Sequence, residues 1–177
     1  APHNVAVGDF DGDGSQDIAV ANWQDNTVSV LMNNGDGSFA AQSIVSVGNG
    51  PWTIDVGDFN GDGVDDIVNV NRDLSENISV LLSNGDGTFA PHVTYEVGHG
   101  PWDITVGDFN GDGVDDVATA NRDVKSYNVS VLISNGDGTF SPQSTFPTGW
   151  GPWAINVGDF NNDGKNDIVT IVLSMIR

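Results

Sequence analysis

Cysteine is absent and basic residues are scarce: five Lys and Arg stand against 25 Asp and Glu, for a net charge of −20. Without cysteine there is no disulfide framework, and the redox compartment cannot be read from the chain. Arg72, Arg122, Lys125, Lys165 and Arg177 form no basic patch, which argues against nucleic acid as a partner. No run of about 18 apolar residues occurs, so membrane insertion is not expected. His3, His92 and His99 are scattered, and no Ser-His-Asp set can be assembled, so catalysis is not expected either. From a start at Ala rather than Met, with no signal peptide in the sequence, a processed or excised chain is expected.

What the chain does have is one acidic loop four times over. It reads DFDGDGSQD from Asp9, DFNGDGVDD from Asp58 and again from Asp108, and DFNNDGKND from Asp159. Carboxylate or amide oxygens fall at loop positions 1, 3, 5 and 9 with Gly at position 6, a pattern that wraps a short peptide around a hard cation. In the first loop Asp9, Asp11, Asp13 and Asp17 are expected to supply side chains, and Ser15 its backbone carbonyl. The corresponding sets are Asp58, Asn60, Asp62 and Asp66 with Val64, then Asp108, Asn110, Asp112 and Asp116 with Val114, then Asp159, Asn161, Asp163 and Asp167 with Lys165. Position 7 tolerates Ser, Val or Lys, as expected if only its carbonyl faces an ion. About four Ca²⁺ ions are therefore expected. Counted as side-chain ligands, the loops hold four carboxylates in the first copy and three in each of the others, 13 of the 25. Four ions would bring the net charge to about −12.

An EF-hand needs an acidic residue at position 12 and flanking helices. Position 12 here is Val20, Asn69, Thr119 or Thr170, and the flanks alternate in the manner of strands. Acidic turns with no ion remain as the bland alternative. Calcium sites of millimolar affinity suit a compartment where calcium is millimolar, so an extracellular or cell-surface location is expected.

The loops recur at spacings of 49, 50 and 51 residues, and Gly-Pro-Trp and NGDG(S/T)F segments keep step with them. Each unit holds four short alternating runs, in the second copy Thr53 to Val56, Ile67 to Val70, Ile78 to Leu82 and Thr88 to Val97. Four strands joined by tight turns form an antiparallel meander, one blade of a β-propeller. The expected fold is all-β, with three complete four-stranded blades and a two-stranded partial fourth. Residues 1–177 form one repeat domain with blades at 1–48, 49–98, 99–149 and 150–177. Phe10, Phe59, Phe109 and Phe160 are expected in the core. The last strand is expected to run on from Ile168 to Ile176 as an apolar edge that pairs with something, whether within the chain or in a homo-oligomer.

The pattern VGDFNGDGxxDI followed by SVLLSNGDGTF resembles the FG-GAP or VCBS repeats of integrin alpha chains and many secreted microbial proteins. This resemblance covers almost the whole chain. It implies propeller blades, calcium in the loops at Asp9, Asp58, Asp108 and Asp159, and a role in adhesion, carbohydrate binding or surface architecture. The chain departs from the usual seven-bladed ring, since only three repeats are complete.

Antiparallel parity puts the acidic loop and the NGDG turn at one end of each blade, and the connection between strands 2 and 3 at the other. Only that second connection varies in length. Variable loops on a fixed scaffold are where recognition concentrates. Trp23, Arg72, Asp73, Arg122, Asp123 and Tyr127 from these connections, with Trp52, Trp102 and Trp153 beside them, are the candidate ligand residues. Trp rings among such polar groups suit a glycan, and a surface protein is the other expected partner. Packing of the Trp residues between blades is the competing expectation.

Overall fold

Fourteen strands and one short 3-10 turn at Trp23–Asp25 make up the computed structural model, which describes residues 1–73 and 75–173. The first sheet is β1 (Pro2–Gly8), β2 (Asp17–Asn22), β3 (Thr27–Leu31) and β4 (Ser43–Ser46), paired in that order and antiparallel throughout. The second is β5 (Pro51–Gly57), β6 (Asp66–Asn71), β7 (Asn77–Leu81) and β8 (Val93–Glu96). The third is β9 (Pro101–Gly107), β10 (Asp116–Asn121), β11 (Asn128–Leu132) and β12 (Ser144–Pro147). A two-stranded sheet of β13 (Pro152–Gly158) and β14 (Asp167–Val172) follows. The architecture is that of β-propeller-type blades, as the repeat predicts.

The fourth strand is shorter than the expected run from Thr88 to Val97. β8 covers only Val93–Glu96, because Phe89 bridges back to Ser83 and the Ala90 amide donates to the Leu82 carbonyl. Pro91 then has no amide to extend the ladder. β14 ends at Val172, matching β2, β6 and β10 in length. The expected extension stops there among the described residues; Ser174 to Ile176 lie outside them, as does Leu74 of the second variable connection.

First strands of successive sheets lie side by side, β1 on β5, β5 on β9 and β9 on β13, so the sheets stack face to face. Alternation along each strand then gives every sheet two apolar faces. Phe10, Ala19, Ala21, Val28 and Val30 of the first sheet pack against Ile54, Ile67 and Leu81 of the second. Phe59, Val68, Val70, Ile78 and Val80 repeat this against Ile104, Val117 and Leu132. Ala118, Ala120, Val129 and Val131 meet Ile155 of the last sheet.

The terminal sheets expose the same faces. Val5, at the position of fully packed Ile54, is 58% exposed, and Phe160 is 62% exposed where Phe10 and Phe59 are completely buried. Phe160 is thus not core, and Phe109 is only partly buried, because each of these rings is covered by the outer strands of the next sheet. A groove of about 530 Å³ lined by Val131, Ile133, Phe146 and Ile168 opens on the third sheet where β13 and β14 have no outer partners among the described residues.

One interior atom is poorly served. Asn69 is fully buried and donates to the Asn71 side chain at 2.7 Å, but its own amide oxygen has no partner among the described residues. At the same position in the third sheet, Thr119 makes the corresponding bond to Asn121 at 3.0 Å through its only side-chain polar atom, so no oxygen is left partnerless. Asn69→Thr is therefore expected to stabilise the fold by about 1 kcal/mol in urea denaturation, since an orphaned buried acceptor costs roughly that much. A loss of stability would mean the oxygen has a partner.

Candidate functional site

The first Asp of each loop shapes the turn. Asp9 accepts the Gly12 amide at 2.8 Å on one oxygen and the Gly14 amide at 2.9 Å on the other, and Asp58 and Asp108 repeat both bonds. Asp159 accepts Gly164 and Asp163 amides instead. Gly14, Gly63, Gly113 and Gly164 hold φ between 83° and 87°, which a side chain would resist. Position 3 and position 5 residues cap the amides two residues on, as with Asp11 to Asp13 and Asp13 to Ser15. The carboxylates point back over the turn they organise.

The ninth position is different. Asp17, Asp66 and Asp116 are buried, and each carboxylate is held by two amides. Asp66 accepts Phe59 N–H at 3.1 Å and Ser83 N–H at 2.8 Å, so it ties the acidic loop to the end of β7. Asp17 and Asp116 make the same pair of bonds. Burial pushes Asp66 up to about 7 against the pull of these donors, and raises Asp116 as well. Oxygens of Asp9, Asp11 and Asp17 all lie within 4.8 Å of one another, a separation one cation can bridge. Three carboxylates, a flexible oxygen-only donor set and a carbonyl at position 7 fit Ca²⁺ better than a soft or octahedral ion.

Two features of these loops were not anticipated. Asp65, Asp115 and Asn166 at position 8 each reach the preceding loop, through bonds to the backbone of Asp9, Asp58 and Asp108. Position 7 also matters beyond its carbonyl: Lys165 donates its ammonium to the Asn110 carbonyl at 2.6 Å. The signal available was a second acid or amide at position 8, which a metal count leaves without a task.

At the opposite end of the sheets, Trp52, Trp102 and Trp153 form a column with ring centroids 5.6 and 4.9 Å apart. Each of two arginines lies against two successive rings of it. The Arg72 guanidinium lies 4.1 Å from the Trp52 ring centroid and 4.0 Å from that of Trp102, and Arg122 lies 4.4 Å from Trp102 and 3.7 Å from Trp153. Each desolvated cation–ring contact is worth up to about 2 kcal/mol. Trp23 takes the place of an Arg: its ring meets Trp52 edge-on and its N–H donates to Asp73 at 2.7 Å. His3 lies against Trp52 with ring centroids 3.4 Å apart. The structure thus engages seven of the nine candidate ligand residues with one another on one face, while Asp123, whose carboxylate accepts the Lys125 amide, and Tyr127 join Arg122 around a cavity of about 610 Å³. Trp150, 54% exposed, faces Tyr127 across it with rings 6.1 Å apart. Tyr127 has φ of 38°, a conformation a non-glycine residue rarely adopts.

The FG-GAP-like repeat profile matches residues 9–69, 68–119 and 108–170. No curated protein sequence matches. Among solved structures the chain is similar to a lectin from Agrocybe aegerita described by its specific recognition of non-reducing terminal N-acetylglucosamine. The TM-score is 0.67 at 26% identity, over 93% of this chain and 45% of that one. It is also similar in fold to the Photorhabdus luminescens Tc holotoxin pore (TM-score 0.58, 17% identity, 94% of this chain and 8% of that one). The V. cholerae biofilm matrix protein Bap1 gives a TM-score of 0.50 at 21% identity, over 96% of this chain and 28% of that one. The chain therefore spans less than half the length of each of these neighbours. Three overlapping matches from Asp9 to Thr170, on a stack of four-stranded blades, establish that this chain belongs to the FG-GAP-like repeat family.

Proposed function

We propose that this chain is an extracellular, non-catalytic repeat module whose blades are stapled by calcium, one ion in each acidic loop, and which serves a structural or adhesive role. The approach of the Asp9, Asp11 and Asp17 oxygens within 4.8 Å carries this reading. Its support is widened by the same loop path in three further copies and by fold neighbours that include a biofilm matrix protein. Calorimetric titration of chelator-treated protein with CaCl₂ should give about four ions per chain. MgCl₂ should bind far more weakly, because Mg²⁺ gives up its water reluctantly and these loops offer a flexible site. No heat and no spectral change at millimolar calcium would overturn the assignment.

Self-association through the end faces belongs to the same reading. Val5 and Val7 on one end and Phe160 and Ile171 on the other are exposed apolar positions whose internal equivalents pack sheet on sheet. Light scattering in calcium should show dimers or larger species. A monomer at every concentration would remove self-association from the reading.

A second reading, glycan binding, draws on the cavity between Tyr127 and Trp150, which sets aromatic rings beside Arg122 and Asp123, and on similarity to the Agrocybe aegerita lectin. Oligosaccharides ending in N-acetylglucosamine should then quench tryptophan fluorescence, and Trp150→Ala should abolish the response. Silence across a broad glycan panel would leave the structural role alone.

A further inference from the structure

The acidic loops of successive blades touch through one residue. Asp65 receives the Asp9 amide on its carboxylate at 2.8 Å, while its own amide donates to the Asp9 carbonyl at 3.0 Å. Asp115 makes the same two bonds with Asp58, at 3.1 and 3.3 Å, and Asn166 with Asp108, both at 2.9 Å. These three are the eighth residues of their loops, and the residues they hold are the first ligands of the loops before. Approach is close enough that a Cβ on Gly8, Gly57 or Gly107 would fall within 2.8 Å of the clamping residue or its neighbour. The equivalent residue of the first loop, Gln16, is exposed.

Position 8 sits between two ligands of its own loop. Val64 is expected to offer its carbonyl and Asp66 its carboxylate to the same ion, so Asp65 cannot shift without moving both. A second tie runs in parallel. Ser83 donates its amide to Asp66 of the second loop and its hydroxyl to the Phe10 carbonyl of the first, at 2.8 and 2.7 Å. Ser134 bridges Asp116 and Phe59 in the same way. At the last joint Lys165 adds its bond to the Asn110 carbonyl.

We propose that the loops bind their ions as a coupled array, with Asp65, Asp115 and Asn166 as positioning residues that transmit order from each loop to the one before it. This inference rests on the calcium reading. An ion that fixes Val64 and Asp66 also fixes Asp65, and through it the backbone of Asp9, so the first loop loses less freedom when its own ion arrives. Linkage makes the effect reciprocal: filling the first loop favours the second by the same factor.

Heteronuclear NMR of the whole chain during a calcium titration gives one reporter per loop in the amides of Gly14, Gly63, Gly113 and Gly164. Asp62→Ala removes an exposed ligand from the second loop only. It should nevertheless weaken calcium binding at Gly14 and Gly113 by about tenfold, within the usual range of coupling between sites. In the Asp65→Ala background the response at Gly14 should shrink to the part carried by the Ser83 tie while that at Gly113 persists in full. Asp65→Asn should behave as wild type in coupling, because Asn166 already does this work with an amide oxygen. Thermal melts in saturating calcium establish that Asp65→Ala is folded; if it is not, the Asp62→Ala comparison decides alone. Unchanged affinity at Gly14 and Gly113 in Asp62→Ala, or identical behaviour of Asp65→Asn and Asp65→Ala, would overturn the coupling while leaving calcium binding intact. Absence of any calcium-dependent shift would overturn both.

Discussion

Chelation of calcium should lower the melting temperature of this chain by about 20 to 40 °C. A site held at 100-fold excess over its dissociation constant adds about 2.7 kcal/mol, so four such sites add about 11 kcal/mol. For a chain of this size each kcal/mol shifts the midpoint by about 2 to 4 °C. The charge distribution acts in the same direction, because 15 of 25 acidic side chains crowd the loops and only five basic residues offset them. The benefit should also depend on pH. Asp66, pushed by burial up to about 7, must give up a proton before it can serve as a ligand. The calcium-induced rise in melting temperature should therefore be largest at pH 8 and shrink as the pH falls through 7. Differential scanning calorimetry with and without a chelator at both pH values tests both parts. A melt insensitive to chelation would remove the stapling role, and a pH-independent gain would remove Asp66 from the ligand set.

The features legible in the sequence were those whose partners are close along the chain or fixed by the repeat. Asp9 and Gly14 lie within one turn, so a local pattern reveals them, and a period near fifty residues aligns the four copies. Strand parity was enough to put Trp52, Trp102, Arg72 and Arg122 on one face. It could not show that each arginine lies against two successive rings, since that depends on how far one sheet is displaced from the next. The position 8 clamp was illegible for a related reason: Asp65 and Asp9 are 56 residues apart, and a second Asp beside a metal ligand reads as part of the same site. Phe160 was misplaced because its burial is decided by the outer strands of a neighbouring sheet, which no local pattern encodes.

Asp66→Ala is expected to cost about 3 to 5 kcal/mol even with no calcium present. The side chain is fully buried, and its two oxygens take the Phe59 and Ser83 amides. Alanine would strand both donors, at about 1 to 3 kcal/mol each, and leave a small void at the junction of loop, β6 and β7. Asp66→Asn keeps one acceptor oxygen and should lose roughly half as much. The same carboxyl should leave a mark on the wild-type pH profile in chelator. Its native-state value lies above that of the unfolded chain, near 3.9, so between about pH 4 and pH 7 the folded form holds a proton that the unfolded form releases. Stability contributed by that proton is present at pH 4, falls as the pH rises through 7 and is flat beyond. In Asp66→Ala that component of the slope should vanish. Urea denaturation at pH 5 and pH 8 in chelator measures both effects. A loss below about 0.5 kcal/mol would mean that water satisfies the two amides once the carboxylate is gone, and that Asp66 is a ligand without a structural role of its own. A full loss in chelator, deepened in calcium, would show one side chain closing the blade from within and the ion site from without.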